Sequence, residues 1–155
     1  LPGTPFDKRF TTLSLGSVGR ALQLALSEGI ETYTKIIDLC VNLPKLDRTK
    51  LLTLANSYNR TAEDKFDQLQ VLVDIFLARM ALSPFNHSSD DHAISGEREV
   101  FLRLCPDQYA SHQWAKTQLE VSQTARKSIE ANLDPSSLIL DMGFKIEATA
   151  TKILN

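Results

Sequence analysis

The chain has 155 residues, which fits one domain, or one domain with part of another. Hydrophobic residues make up 43% of the sequence and charged residues 23%, as in an ordinary soluble globular domain. The net charge of −2 argues against a main nucleic-acid-binding surface, which is usually strongly basic. No apolar run approaches the roughly 18 residues that a membrane helix needs, so we expect no membrane partner.

The N-terminal residues and the cysteines bear on targeting and on the redox compartment. The first ten residues contain two prolines, a glycine and three charges, which excludes a signal peptide there. Because the sequence starts with Leu1 rather than Met, we expect it to be a C-terminal piece of a longer protein. The only cysteines, Cys40 and Cys105, lie in apolar helical patterns and predict two buried free thiols in a reducing cytosol.

The first predicted helix follows a segment, residues 1–12, that has no periodicity. A Gly-Ser turn at Gly16 and Ser17 opens this helix, with Gly19 and Arg20 in its first turn. Gly29 then breaks it. The second predicted helix ends at Pro44, and its apolar face comprises Tyr33, Ile36, Ile37, Cys40 and Val41.

The middle of the chain predicts two further helices. Asp47 is placed to cap the first, whose inward residues are predicted to be Leu51, Leu52, Leu54 and Ala55. Thr61 is placed to cap a long amphipathic helix that runs to about Leu82. A polar loop follows from Pro84 to Ala93.

Three more helices complete the prediction. A short one spans Gly96–Leu104, and a long one spans about Gln108–Asn132 with an apolar face of Trp114, Leu119, Val121, Ala125 and Ile129. Asp134 and Pro135 suit the cap and first position of a last helix, whose face comprises Leu138, Met142, Ile146, Thr149 and Ile153. No segment alternates with a period of two, so the fold class is predicted to be an all-α bundle of about six or seven helices.

No motif in the sequence predicts catalysis or cofactor binding. There is no phosphate loop, no Glu-x-x-His and no His-Glu-x-x-His. The polar loop contains His87, Asp90, Asp91 and His92, but a solvated loop offers no outer shell of hydrogen bonds to orient metal ligands. We therefore expect no catalytic residue, no cofactor and no metal site.

Several blocks of the sequence carry a resemblance to a known family. Gly16–Leu22 reads Gly-Ser-Val-Gly-Arg-Ala-Leu, and Glu31-x-Tyr33 is followed by Leu43–Asp47. Trp114 and then Asn132–Asp134 stand in the same order and spacing as in the family's last helices. From about residue 13 to its end, the chain resembles the C-terminal region of the delta-prime subunits of the bacterial DNA polymerase III clamp loader, which belong to the AAA+ proteins.

The resemblance implies two domains and a role in assembly. Residues 1–28 would be an N-terminal segment and the remnant of an AAA+ lid domain, and residues 29–155 a helical collar domain. The partners would be the tau/gamma and delta subunits, with DNA and the sliding clamp reached only through the full complex. The piece would be a non-catalytic part of a nucleotidyltransferase holoenzyme in the bacterial cytoplasm. The residues expected at the subunit interface are Phe66, Leu69, Leu72, Val73, Phe76, Trp114, Leu138 and Met142.

The sequence also departs from the family, and two other functions stay open. The AAA+ core is absent, and Asp134-Pro135 stands where the family more usually has Asp followed by basic residues. Arg20 is a weak candidate for nucleotide contact, because delta-prime subunits generally do not hydrolyse ATP. The alternatives are a stand-alone helical protein-interaction adaptor unrelated to replication, and a small helical enzyme or metal protein. An AAA+ core encoded upstream of Leu1 would separate the first function from the adaptor.

Overall fold

The fold was determined from a computed structural model, which describes residues 29–58, 63–86 and 94–155. These ranges contain no strand, and the predicted all-α bundle is confirmed. The predicted helix at Ser17 and its cap, and the cap at Thr61, lie outside the described residues. The helices are α1 (Gly29–Cys40), α2 (Arg48–Asn56), α3 (Glu63–Leu82), α4 (Glu97–Leu104), α5 (Gln108–Glu130) and α6 (Pro135–Leu154), with a 3₁₀ turn at Ser83–Phe85.

The central pair of the bundle is α3 and α5, which have the most extensive contact of any two helices described. The Ser111 hydroxyl donates to the Ala81 carbonyl at 2.5 Å, and the Gln118 amide donates to the Asp74 carboxylate at 2.9 Å. As the α5 residue number rises the α3 number falls, so the two helices are antiparallel. Helix α1 also packs against α3, where the ring centroids of Tyr33 and Phe76 lie 5.9 Å apart.

The last helix, α6, covers both α5 and α2. It runs back along α5, where the Lys145 ammonium donates to the Thr124 hydroxyl at 2.8 Å. It also meets α2, where Arg48 pairs with Glu147 at 3.1 Å. Among the described helices α2 has no other extensive contact, so α6 is the described element that holds α2 in the bundle.

Local sequence signals explain where the helices begin. The Asp47 side chain accepts from the Lys50 N–H at 3.0 Å, which confirms the predicted cap of α2. Asp107 caps α5 in the same way, accepting from the Ala110 N–H at 2.9 Å. Pro135 occupies the first turn of α6, as predicted. Gly96 precedes α4 with a φ of 91°, a left-handed conformation that strongly favours glycine.

Some residues predicted to face inward are exposed instead. Val41, Leu52, Leu119 and Ile129 are each about half exposed. On α5 the predicted face is correct for Trp114, Val121 and Ala125 and wrong for Leu119 and Ile129, because the buried stripe is partly made of small polar residues that an apolar-only pattern leaves out. That stripe comprises Ala110, Ser111, Trp114, Thr117, Val121, Ala125 and Ser128.

One close helix contact leads to a stability prediction. A methyl group built on Gly143 of α6 would lie 2.6 Å from Cδ2 of the buried Leu51 in α2. Overpacking of this kind costs about 1–3 kcal/mol, while alanine gains about 1 kcal/mol over glycine inside a helix. We expect Gly143→Ala to lower the free energy of unfolding by about 1 kcal/mol in the natural chain.

A Leu51→Ala background supplies the control for that prediction. With the leucine side chain shortened, the clash is gone and only the helix propensity gain of about 1 kcal/mol remains. Gly143→Ala should therefore stabilise the Leu51→Ala variant in urea unfolding. An equal loss in both backgrounds would show that the Gly143–Leu51 contact does not limit the size of residue 143.

The central helix has one further property. Residues Lys65–Phe85 are long and apolar enough to cross a membrane, judged by length and composition alone. The core helix of a helical bundle meets the same criteria, and Leu72, Phe76 and Met80 are fully buried within this bundle. This segment is therefore weak evidence for a membrane span.

Candidate subunit-interaction surface

The residues predicted for a subunit interface all lie inside the chain's own core. Periodic large apolar residues predict a buried helix face, but they do not tell whether the same chain or another one covers it. In the structure the chain itself covers these faces. In this conformation these side chains are buried, so a partner that docks on the surface of the bundle contacts mainly other residues. The buried side chains are Phe66, Leu69, Leu72, Val73, Phe76, Trp114, Leu138 and Met142.

Two other sets of candidate residues lie outside the described ranges. Arg20, the weak nucleotide-contact candidate, belongs to residues 1–28, as does the expected lid remnant. The loop residues His87, Asp90, Asp91 and His92 belong to residues 87–93. Within the described ranges, no group of three or more His, Cys, Asp or Glu side chains is arranged to hold a metal ion.

Large apolar side chains are exposed on three helices and on the 3₁₀ turn that contacts all three. Leu82 ends α3 and Phe85 lies in the 3₁₀ turn, and each is 58% exposed. Leu102 of α4 is 64% exposed and Tyr109 of α5 is 53% exposed. The 3₁₀ turn contacts α3, α4 and α5, so these four residues lie on the turn or on a helix that contacts it, and together we call them the apolar end.

The apolar end was not predicted from the sequence, because its residues do not form a periodic face on a long helix. The sequence feature that indicates this surface is a large apolar residue at a position where no helix periodicity requires one. Phe85 is a large aromatic residue in a Ser-Pro turn, where no helix periodicity requires it. Tyr109 lies in the first turn of α5, on the side away from the buried Ala110 and Ser111. Apolar residues in turns and at helix starts therefore indicate an exposed apolar surface.

A buried polar cluster joins the helices near the apolar end. The Tyr33 hydroxyl of α1 donates to the Glu97 carboxylate of α4 at 2.5 Å, and Arg79 of α3 forms an ion pair with the same carboxylate. Glu97 and Tyr33 are fully buried. Buried charges are tolerated where they are paired and hydrogen-bonded, and here one carboxylate links three helices.

The ionisation of this cluster is consistent with its pairing. Burial raises the pKa of the Tyr33 hydroxyl well above its ordinary value of 10.0, and the Glu97 charge raises it further. The hydroxyl therefore stays protonated and remains a donor. Burial alone would lower the pKa of Arg79, but its hydrogen bond to Glu97 and the Glu97 charge raise it overall. The cluster therefore consists of the neutral phenol of Tyr33, which donates a hydrogen bond to the Glu97 carboxylate, and the Arg79 guanidinium, which forms an ion pair with it.

Arg103 fixes the other end of α1 to α4. Its guanidinium donates to the carbonyl oxygens of Cys40 at 3.1 Å and Val41 at 2.5 Å, and also to that of Leu43. The last carbonyl groups of a helix have no partner within the helix, so a side-chain donor there stabilises the helix end. Arg103 and Glu97 together hold the short helix α4 at both of its ends.

The surroundings of the two cysteines disfavour the thiolate form. Cys40 and Cys105 are free thiols and both are buried, as predicted. Burial raises the pKa of the Cys40 thiol to about 12 and that of the Cys105 thiol to about 11. Because the thiolate is the nucleophile, thiols that hold their proton this firmly are poor candidates for catalysis.

A groove of about 320 Å³ runs between α3 and α5, away from the apolar end. Asp67, Gln70 and Asp74 line it on the α3 side, and Ser122 and Arg126 line it on the α5 side. The remaining lining is apolar and includes Val71, Val121, Ala125, Ile129 and, from α6, Met142.

Comparison with known proteins does not assign the chain to a family. No protein-family model, no curated protein and no solved structure matches it. The function therefore has to be argued from the residues themselves.

Proposed function

We propose that this chain is the subunit-assembly region of a bacterial clamp-loader delta-prime subunit. In this role, residues 29–155 form the collar domain that holds the tau/gamma and delta subunits in register while the complex loads the sliding clamp. The domain contributes no bond chemistry to the holoenzyme. DNA and the clamp are reached only through the assembled complex, in the bacterial cytoplasm.

The observation that carries the proposal is the order of the family-like blocks along the sequence. Glu31-x-Tyr33, Leu43–Asp47 and Asn132–Asp134 stand at helix and turn positions of an all-α bundle. That placement is compatible with the resemblance, because a collar domain is itself helical. Buried thiols and the lack of a metal-binding cluster in the described ranges are compatible with a non-catalytic role.

The surface proposed to meet a neighbouring subunit is the apolar end, in place of the eight buried residues. Interfaces between obligate subunits bury roughly 2,000 Å² or more, and their centres are enriched in aromatic and apolar side chains. Leu82, Phe85, Leu102 and Tyr109 supply such side chains on the 3₁₀ turn and on the three helices that contact it. Glu97 and Arg103 hold α4, which carries Leu102, in a fixed position. A rigid surface loses little conformational entropy when a partner binds.

The interface is tested by mixing the chain with the C-terminal domains of the tau/gamma and delta subunits and following the complex by size-exclusion chromatography. We expect the natural chain to co-elute and Leu82→Glu with Phe85→Glu to elute alone. Truncation of a central interface residue costs 2 kcal/mol or more, about 30-fold in affinity, and a buried charge costs further.

Leu52→Glu is the matched control. Leu52 is 50% exposed on α2, which has no extensive contact with the 3₁₀ turn, so its variant should still co-elute. Co-elution of the Leu82→Glu and Phe85→Glu variant would contradict the placement of the interface. A natural chain that never co-elutes would contradict the collar function and favour the alternative, a stand-alone helical adaptor.

A further inference from the structure

We infer that the groove between α3 and α5 binds a basic, partly apolar peptide segment of another protein. This site is separate from the apolar end and does not depend on the collar function. The two walls of the groove differ in charge: the α3 wall carries two carboxylates and the α5 wall one guanidinium. Its volume of about 320 Å³ is near the small end of the range for binding pockets, about 300–1,000 Å³.

The α3 wall presents its polar groups on one face. Asp67, Gln70 and Asp74 stand at positions i, i+3 and i+7, a spacing that places side chains on the same side of a helix. Neither carboxylate forms an ion pair with any residue in the described ranges, and Asp74 accepts only the amide of Gln118. The wall therefore offers two negative charges to a cationic group.

Gln70 supplies a second, independent indication. Its Nε2 atom is buried and has no hydrogen-bond partner, although the side chain lines the groove. Buried donors are almost always paired, so an unpaired one calls for an explanation. A turn of the Gln70 side chain toward the groove would expose this amide to a peptide carbonyl oxygen, while a basic side chain of the same peptide meets Asp67 and Asp74.

Other kinds of ligand fit the groove less well. A metal ion needs a cluster of ligand side chains, and the described ranges hold none. A phosphate group would be repelled by the two carboxylates, against a single guanidinium from Arg126. A peptide with apolar side chains on either side of a lysine or arginine matches both the charged wall and the apolar lining.

The test is a titration of the ¹⁵N-labelled full chain with acetyl-Leu-Arg-Leu-amide, followed by NMR. We expect saturable shifts of the Gln70 side-chain amide and of backbone amides in α3 and α5 around the groove, with a dissociation constant of about 1 mM. Acetyl-Leu-Glu-Leu-amide should shift these signals little. In the Asp67→Asn and Asp74→Asn double variant, affinity for the arginine peptide should fall about threefold to tenfold.

A second double variant, Asp38→Asn with Glu99→Gln, makes the same change in net charge at exposed sites outside the groove. It should bind the arginine peptide as tightly as the natural chain does. The asparagine at residue 74 keeps an acceptor for Gln118, and thermal unfolding would verify that both variants are folded. Absence of shifts at the groove, equal shifts with the glutamate peptide, or an equal loss of affinity in both variants would overturn the inference.

Discussion

Replacing Glu97 by glutamine is expected to lower the free energy of unfolding by about 3–5 kcal/mol, the range for breaking a buried ion pair. The carboxylate is fully buried, and it accepts from Tyr33 while it pairs with Arg79. Glutamine keeps the shape and can still accept from the tyrosine. It removes the negative charge that pairs with the guanidinium, whose side chain is only 10% exposed. Urea unfolding followed by circular dichroism measures the loss.

Glu99→Gln is the matched control for this variant. Glu99 lies two residues further along the same helix and is exposed, so its replacement should stay within about 0.5 kcal/mol of the natural chain. Tyr33→Phe, which removes one hydrogen bond to the same carboxylate, should cost an intermediate amount of roughly 1–3 kcal/mol. Equal urea midpoints for Glu97→Gln and Glu99→Gln would show that the buried cluster does not stabilise the fold.

The second large effect is expected at Trp114. This side chain is fully buried at the start of α5, and its indole N–H donates to the Leu104 carbonyl at the end of α4 at 2.8 Å. Trp114→Ala removes the largest buried side chain, leaves a cavity and leaves that carbonyl without its donor. We expect a loss of about 3–5 kcal/mol, a large part of the 5–15 kcal/mol that typically stabilises a domain.

Two further variants separate packing from the hydrogen bond. Trp114→Phe keeps most of the apolar volume and loses the donor, so it should cost about 1–3 kcal/mol. Leu119→Ala, at a position 59% exposed on the same helix, should change stability by no more than about 0.5 kcal/mol. Circular dichroism is the appropriate probe, because Trp114 is the only tryptophan and its loss removes the fluorescence signal. A Trp114→Ala variant as stable as Leu119→Ala would contradict the placement of the indole in the core.

The helices were predictable because their limits are determined by local chemistry. Asp47 and Asp134 mark starts of helices in the sequence as in the structure, and the predicted end of the long helix at Leu82 is correct. These signals depend on backbone groups within a few residues, so one sequence is sufficient to read them. The number and type of helices were predicted from these local signals.

The surface was not predictable in the same way, because it depends on which face of each helix another part of the chain covers. Leu119 and Leu72 are both leucines on long helices, yet the first is 59% exposed and the second fully buried. The pairing of Tyr33 with Glu97, 64 residues apart, was equally invisible in the sequence. Long-range contacts of this kind decide whether a residue belongs to the core or to a binding surface.

The most direct test of the collar function is the mass of the complex, measured by light scattering during chromatography of this chain mixed with the tau/gamma and delta C-terminal domains. The proposal predicts a defined mass equal to the sum of one copy of this chain and its neighbours, unchanged on dilution through the micromolar range. A mass equal to that of the isolated chain at every concentration and mixing ratio would contradict it.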